Sequence, residues 1–196
     1  MGNISAVDYQ KAADRLGTNA AAIKAVAEVE SAGSGMLADG RPKILFERHV
    51  MYQRLKLKAG IVQADLAASK WPELVNKKPG GYSGGAAEHD RLALAAEINR
   101  DCALESCSWG AFQIMGFHWQ KLQFDSLQTF INAMYQGQVS QLGIFVKFIL
   151  ADQVLVNAIR DKNWAKFADR YNGKNYAIYK YDQKMASAYT AAGGAT

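Results

Sequence analysis

Glu30 is the residue whose type and position best suit acid chemistry. It lies near the end of an apolar helical segment, AAAIKAVAEVES (residues 20–31), and small flexible residues follow at once. Packing against the apolar side chains of such a helix disfavours the charged form of a carboxyl group and raises its pKa. A general acid that works near neutrality requires such a shift. The alternative is a solvated glutamate at a helix end, because most glutamates are surface residues.

A second carboxylate usually accompanies the acid where a glycosidic bond is cleaved. The downstream candidates are Asp39, Glu47 and Glu105. Asp39 occupies the tip of a predicted hairpin, roughly 10–13 Å from its base, and Asp-Gly is ordinary turn chemistry. Glu47 ends the returning strand, where it would face Ser34 beside the helix end that carries Glu30. We therefore prefer Glu47 as the second carboxylate and keep Asp39 as the alternative.

The neighbours of Glu47 also allow a purely structural role. An ion pair with Arg41 or Arg48 would account for its presence without catalysis. His49, two residues further on, would orient the Glu47 carboxylate, or else it is a histidine satisfied within the structure.

Two further segments combine polar groups with close approaches of the chain. In SWGAFQIMG (residues 108–116), small residues precede Gln113, whose amide both donates and accepts hydrogen bonds. The other segment ends a helix with Tyr171, Asn172 and Gly173, although an Asn-Gly helix end needs no further explanation. Trp109 and Tyr171 offer rings that would stack on a sugar face or pack in the core.

Apolar periodicity indicates that helices position these residues. Ser5 is a candidate N-cap for a helix that stops at Gly17, and Thr18 or Asn19 would cap the helix of Glu30. Residues 63–85 have the least regular pattern, and KKPGGYSGG (77–85) reads as a loop. Further helices are predicted at residues 49–57, 86–99, 126–134, 138–150, 164–171 and 176–192, with a short one near 109–115.

One β-hairpin is predicted directly after the helix of Glu30. The segments Met36-Leu37-Ala38 and Lys43-Ile44-Leu45-Phe46 flank an Asp-Gly turn, a strong hairpin signal. The predicted fold class is therefore mainly α, of the α+β kind. We expect a single helix-rich domain over residues 1–196 with one small hairpin.

Composition limits the classes of function. Hydrophobic residues make up 49% and charged residues 21%, which permits a core and excludes intrinsic disorder. No apolar run reaches the roughly 20 residues of a membrane helix. Cys102 and Cys107 lack the spacing and partners of a zinc site, so we expect reduced thiols and no metal. The net charge of +5 comes from scattered residues and suits solubility or an anionic partner such as a cell wall.

In combination these motifs resemble a known series. Glu30-Ser31, Gly110 to Met115 and Tyr171-Asn172-Gly173 are similar to the ES…GLMQI…YNxG motifs of lysozyme-like glycosidases, which include goose-type lysozymes and soluble lytic transglycosylases. The long stretch DGRPKILFERH (residues 39–49) more closely resembles the N-acetylmuramidase domain of bacteriophage endolysins. This resemblance extends from about Val7 to Tyr189.

The resemblance implies a lysozyme-like fold and cleavage of the β-1,4 bond between N-acetylmuramic acid and N-acetylglucosamine. Glu30 would be the general acid, and no metal or organic cofactor is expected. The resemblance also implies that the glycan groove is lined by Gln113, Tyr171 and Asn172. The predicted substrate-binding set is completed by Ser31, His49 and Trp109.

Two other functions stay open at this point. A lytic transglycosylase of the same fold would need only Glu30 and would form anhydro-muramic ends. A non-catalytic wall-binding or tail module would retain the fold without the reaction.

The expected partner is the glycan strand of peptidoglycan. We expect a monomer that binds no nucleic acid, because no basic helix or aromatic-basic sheet pattern is present, and that does not insert stably into membranes. The segment MGNISAVDYQKAADRL lacks the apolar stretch of a signal peptide. We therefore expect the protein to stay in the host cytoplasm until it is released to the wall, by a holin, and we expect no separate wall-binding domain.

Overall fold

The part of the chain that the structure describes, residues 4–31 and 33–195, holds eleven α-helices and one three-stranded antiparallel sheet in a computed structural model. This helix-rich architecture with a small sheet confirms the predicted fold class. The helices are α1 (Ala6–Leu16), α2 (Ala20–Glu30), α3 (Arg48–Ala59), α4 (Ile61–Lys70), α5 (Ala87–Glu105), α6 (Leu127–Tyr135), α7 (Gln138–Leu150), α8 (Gln153–Arg160), α9 (Trp164–Asn172), α10 (Tyr176–Tyr179) and α11 (Tyr181–Ala191). The strands are β1 (Ile44–Phe46), β2 (Cys107–Trp109) and β3 (Ile114–Met115).

Contacts divide the chain into two units. Unit 1 comprises residues 1–34 and 138–196, and unit 2 comprises residues 35–137. Unit 1 is built around α2, which packs against α1 and α11. The helix α2 buries an apolar face of five residues, Ala22, Ile23, Ala25, Val26 and Ala27. The buried face holds α2 in place up to its last residue, Glu30.

Local signals set the ends of the first two helices. Ser5 and Asp8 form a capping box at the start of α1, each side chain accepting a hydrogen bond from the other residue's backbone N–H. Gly17 then ends α1 in the left-handed conformation, with φ of 67°. Asn19 is the N-cap of α2, and its side chain accepts a hydrogen bond from the Ala22 N–H. These caps confirm the predicted boundaries.

The sheet of unit 2 joins segments far apart in the chain. Strand β1 pairs with β2, Ile44 lying opposite Trp109 and Phe46 opposite Cys107, and β2 pairs with β3. The predicted short helix near residues 109–115 is therefore wrong. The backbone of β2 pairs with both neighbouring strands while its side chains are buried, and Gly110, with φ of 73°, turns the chain towards β3.

The predicted hairpin is shorter than expected. Its Asp-Gly turn is present, but the bridge pairs only Met36 with Pro42, through hydrogen bonds from the Leu37 N–H to the Arg41 carbonyl and from the Lys43 N–H to the Gly35 carbonyl. After that point β1 turns to β2, and the Glu47 N–H donates to the Ser106 carbonyl at 2.9 Å. The pairing argument that set Glu47 opposite Ser34 is therefore wrong.

Helices α4 and α8 were not predicted. The first occupies residues assigned to the irregular stretch 63–85, while residues 77–85 are a loop as expected. The second is capped by the Asp152 side chain, which accepts a hydrogen bond from the Val154 N–H.

Among residues 4–31 and 33–195, no single helix is long and apolar enough to span a bilayer, but α7 and α8 together, bent by 105°, satisfy the same criterion of length and composition. The apolar residues of this pair include Phe145, Ile149 and Ile159, which are buried in the protein.

Candidate active site

The carboxyl group of Glu30 lies in unit 1, half-buried at the end of α2. Its Oε1 accepts a hydrogen bond of 2.8 Å from Nδ2 of Asn172, the last residue of α9. Burial raises the pKa of Glu30 to about 7, against the opposing effect of the Asn172 hydrogen bond, which favours the charged form. A carboxylic acid with this pKa is substantially protonated at neutral pH and can donate its proton.

An aromatic cluster surrounds Tyr171, the residue before Asn172. The Tyr171 ring stacks on Phe167 at a centroid distance of 5.7 Å, and it meets Phe145 and Phe148 edge-on at 5.8 and 5.7 Å. Burial, and next the charge of Glu30, raise the pKa of the Tyr171 hydroxyl. The cluster anchors the end of α9 through packed rings. It therefore fixes the residue that donates to Glu30.

The carboxylate of Glu47 lies in unit 2, at the N-cap position of α3. Tyr82 donates its hydroxyl proton to Glu47 Oε2 at 2.8 Å. His49 Nδ1 lies 3.2 Å from the same oxygen but makes no hydrogen bond to it, so the orienting role of His49 remains a prediction. Carboxylates at helix N-termini are favoured by the helix dipole. The Glu47 side chain is 16% exposed, so the carboxylate is held by neighbours and still reaches solvent.

Neither arginine considered as an ion-pair partner of Glu47 is bonded to it. Arg41 pairs with Asp39, and Asp39 also accepts the Arg41 backbone N–H. The hydrogen bonds from Arg41 lower the pKa of Asp39. Arg48 donates instead to the carbonyls of Lys78 and Pro79. An ion pair with Arg41 or Arg48 therefore does not explain Glu47, whereas Asp39 is held in an ion pair at the tip of the turn.

The loop that carries Tyr82 is fixed by residues that sequence reasoning missed. Glu88 is fully buried and accepts hydrogen bonds from the N–H groups of Phe46, Ser83 and Gly84. Burial tends to raise the pKa of Glu88, but these bonds outweigh it and hold the pKa below its usual value. Arg91 lies 2.8 Å from the Glu88 carboxylate. Because Ser83 and Gly84 follow Tyr82 directly, Glu88 sets where the Tyr82 hydroxyl lies.

Gln113 uses its amide within unit 2. Its Oε1 accepts from the Ser108 hydroxyl at 2.6 Å, and its Nε2 donates to the Gly110 carbonyl at 2.9 Å. Its backbone is left-handed, with φ of 48°. Gly116, which ends the motif, is tightly packed, since a Cβ there would lie 2.2 Å from the Leu104 carbonyl oxygen. The motif thus shapes a turn, and a role of Gln113 in glycan binding remains a prediction.

Trp109 is not placed to stack on a ligand. It is 1% exposed, and its indole N–H donates to the Leu104 carbonyl at 3.1 Å. The prediction of Trp109 as a substrate-binding residue is therefore wrong, and the alternative of core packing holds, because β2 points its ring into the interior. Ser31 is the C-cap of α2, adjacent to Glu30, and its N–H donates to the Ala27 carbonyl at 2.9 Å.

Glu105, the third carboxylate considered, has a structural environment. It is 1% exposed and is bonded by Arg54 and Lys58, each at 2.7 Å, and by the Trp119 indole at 3.0 Å. The three donors and the burial of Glu105 leave its carboxylate no access to a substrate.

Neither a metal cluster nor a disulfide is present in the described part of the chain, residues 4–31 and 33–195. No group of three or more His, Cys, Asp and Glu side chains there has the arrangement of a metal site. Cys102 and Cys107 are both buried, and burial raises the pKa of each thiol. Thiols with a raised pKa are poor nucleophiles, so neither is a candidate for covalent catalysis.

Comparison with known proteins places this fold among the lysozyme-like glycosidases. The chain belongs to the N-acetylmuramidase family, whose model matches residues 19–193. The crystal structure of the Burkholderia AP3 phage endolysin is similar over 97% of this chain and 72% of that chain, with 52% sequence identity and a TM-score of 0.93. No curated protein matches. Family and relative confirm the resemblance inferred from the motifs and define a peptidoglycan hydrolase of the lysozyme type.

Proposed function

We propose that this protein is an endolysin that hydrolyses the β-1,4 bond between N-acetylmuramic acid and N-acetylglucosamine, with Glu30 as general acid. The carrying observation is the raised pKa of Glu30, about 7, beside the Asn172 amide. A protonated Glu30 delivers its proton to the glycosidic oxygen as the bond to the sugar breaks. This proton transfer turns a poor leaving group into a neutral hydroxyl.

Glu47 is proposed as the second carboxylate of the reaction. Its Oε2 accepts a hydrogen bond from the Tyr82 hydroxyl and lies near His49. Such a carboxylate supports positive charge on the sugar ring or activates the attacking water. Asp39 is the weaker alternative, because its carboxylate would first have to leave Arg41.

The remaining residues of the predicted set are proposed to bind the glycan. Ser31, Tyr171 and Asn172 adjoin Glu30 in unit 1, through the end of α2 and the end of α9. His49 and Gln113 belong to unit 2. Delivery to the wall from the host cytoplasm, by a holin, completes the proposal and is supported by the phage origin of the similar endolysin.

Product analysis of digested peptidoglycan tests this proposal. Wild type should release fragments with reducing ends, and Glu30→Gln should lower the rate by about 10²–10⁴-fold, since the amide cannot donate the proton. Glu28→Gln, an exposed glutamate on the same helix, is the matched control and should keep full activity.

The same digest separates the alternatives. Anhydro ends together with a fully active Glu47→Gln variant would identify a transglycosylase that needs Glu30 alone. Absence of any released fragment from wild type would identify a non-catalytic module. A Glu47→Gln variant that loses activity while wild type forms reducing ends is the result expected for the two-carboxylate hydrolase.

A further inference from the structure

Helices α3 and α4 of unit 2 present large apolar side chains to solvent. Five of them lie within fifteen positions of the chain, and we call them the α3–α4 surface: Leu57 (71% exposed), Ile61 (51%), Val62 (66%), Leu66 (60%) and Trp71 (37%). Isolated exposed leucines are common on proteins, but apolar clusters of this kind mark interaction sites. The exposure of the α3–α4 surface therefore indicates that a partner binds there.

The outward direction of these side chains follows from the burial of α4. Ala64 and Ala67 form its buried face. At about 100° per residue, Val62 and Leu66 point away from that face, in the direction where a solvated helix normally carries charge. Core packing thus does not account for them.

Positive charge is concentrated in the same segment. Residues 48–78 contain seven Lys and Arg against two Asp and Glu, and of these cations Arg54 and Lys58 form ion pairs with Glu105 outside the segment. Lys56 and Lys70 are exposed beside the apolar side chains, and the Lys70 ammonium lies 4.3 Å from the centre of the Trp71 ring. Apolar and cationic groups therefore share one surface.

A groove adjoins the α3–α4 surface. Its volume is about 770 Å³, and apolar side chains line most of it, among them Leu55, Leu66, Trp71 and Ile98. Lys70 and Glu97 lie on its lining as well. The groove opens where α5 departs from helical geometry at Asn99. A largely apolar groove of this volume can receive part of an alkyl chain.

The combination of aliphatic side chains and lysines identifies the occupant. A sugar polymer would be met by aromatic and hydrogen-bonding groups, and a second copy of the chain would bring one net charge of +5 against another. Aliphatic side chains with lysines beside them suit the headgroup and acyl boundary of an anionic bilayer. We propose that the α3–α4 surface docks the protein peripherally on an anionic phospholipid bilayer, with Val62 and Leu66 as apolar anchors and Lys56 and Lys70 as headgroup contacts.

Vesicle sedimentation with the full chain tests this proposal. Wild type should pellet with phosphatidylcholine vesicles that contain phosphatidylglycerol and stay in solution with phosphatidylcholine alone. The double variant Val62→Ser with Leu66→Ser should bind the anionic vesicles at least about tenfold more weakly, because the anchors are lost. Lys56→Gln with Lys70→Gln should lose about tenfold at low salt.

Matched controls come from unit 1. Val139→Ser with Val154→Ser removes two exposed valines elsewhere, and Lys11→Gln with Lys166→Gln removes the same charge elsewhere. Each control should stay within about threefold of wild type, since the proposed contact is local. Circular dichroism confirms that every variant is folded.

Four results would overturn the proposal. The first three are wild type that does not bind anionic vesicles, equal binding to both vesicle types, and equal losses in the controls. The fourth is a wild type that binds no vesicles but forms concentration-dependent dimers, which the Val62→Ser, Leu66→Ser variant does not form. The last result would assign the surface to a second copy.

Discussion

At the level of the side chain, two opposing effects set the proton affinity of Glu30. Burial at the end of α2 disfavours the carboxylate, and the Asn172 N–H donor favours it. Burial is the larger effect, so the pKa settles at about 7. In the proposed reaction, which requires protonated Glu30, we therefore expect activity around neutrality and its progressive loss at higher pH.

Removal of the Asn172 donor should shift the pH profile. In the Asn172→Ala variant the charged form of Glu30 loses its hydrogen bond, so the pKa of Glu30 rises and the alkaline limb of the rate profile moves to higher pH than in wild type, where it lies near 7. The initial rate of peptidoglycan clearing across pH measures this limb. The control is Asn175→Ala, an exposed asparagine near the same helix end, which should leave the limb in place. A limb that moves to lower pH in Asn172→Ala would contradict the assignment.

At the level of the element, the buried pair of Glu88 and Arg91 connects β1 with the loop that carries Tyr82. Glu88 binds backbone groups of both segments, and Arg91 donates to the carbonyls of Phe46 and Glu73. One helical turn of α5 thus replaces the backbone pairing that an irregular loop lacks.

Loss of the Glu88 carboxylate should be costly for stability. Glu88→Ala leaves the Arg91 charge buried without compensation and three N–H groups without an acceptor, so we expect a loss of about 3–5 kcal/mol in the free energy of unfolding. Urea unfolding followed by circular dichroism measures it. Glu73→Ala removes an exposed carboxylate 3.7 Å from Arg48 and should change the same quantity by about 0.5 kcal/mol or less. Equal losses in both variants would contradict this role of Glu88.

The positions of Glu30 and Asn172 at helix ends can be predicted from the sequence, because the local signals for a helix end are strong there and both residues match family motifs. The Tyr82–Glu47 and Glu88–Phe46 hydrogen bonds join residues separated by 35 and 42 positions, and no local sequence pattern indicates such contacts. The pattern near Trp109 predicts a helix where β2 forms, because all three residues of the strand are buried and three residues are too few to show an alternation. Val62 and Leu66 are apolar but face outward, so the apolar residues of α4 do not follow a helical period. The sequence pattern therefore does not predict this helix.

At the level of the whole molecule, we expect the net charge of +5 to make association with an anionic cell wall depend on ionic strength. Salt shortens the range of these forces, from about 10 Å at 0.1 M to about 3 Å at 1 M. Long-range attraction therefore contributes at low salt and is screened at high salt.

Neutralisation of exposed lysines in unit 1 should make this contribution visible. Lys11→Gln with Lys166→Gln removes two positive charges, and retention on purified cell walls should fall at low salt and change little at high salt. A cosedimentation assay over a salt series measures retention. Lys11→Arg with Lys166→Arg keeps the charge and should match wild type at every salt concentration. If salt makes no difference to the effect of the glutamine variant, wall attraction does not depend on net charge.

The two buried cysteines have a practical consequence for measurements of conformational opening. Cys102 and Cys107 are both 0% exposed, both belong to unit 2, and no other cysteine occurs in the chain. A thiol reagent therefore labels only molecules in which unit 2 has opened, whatever unit 1 does. The labelling rate of the unmodified protein thus reports how often unit 2 alone opens, and the measurement needs no engineered probe.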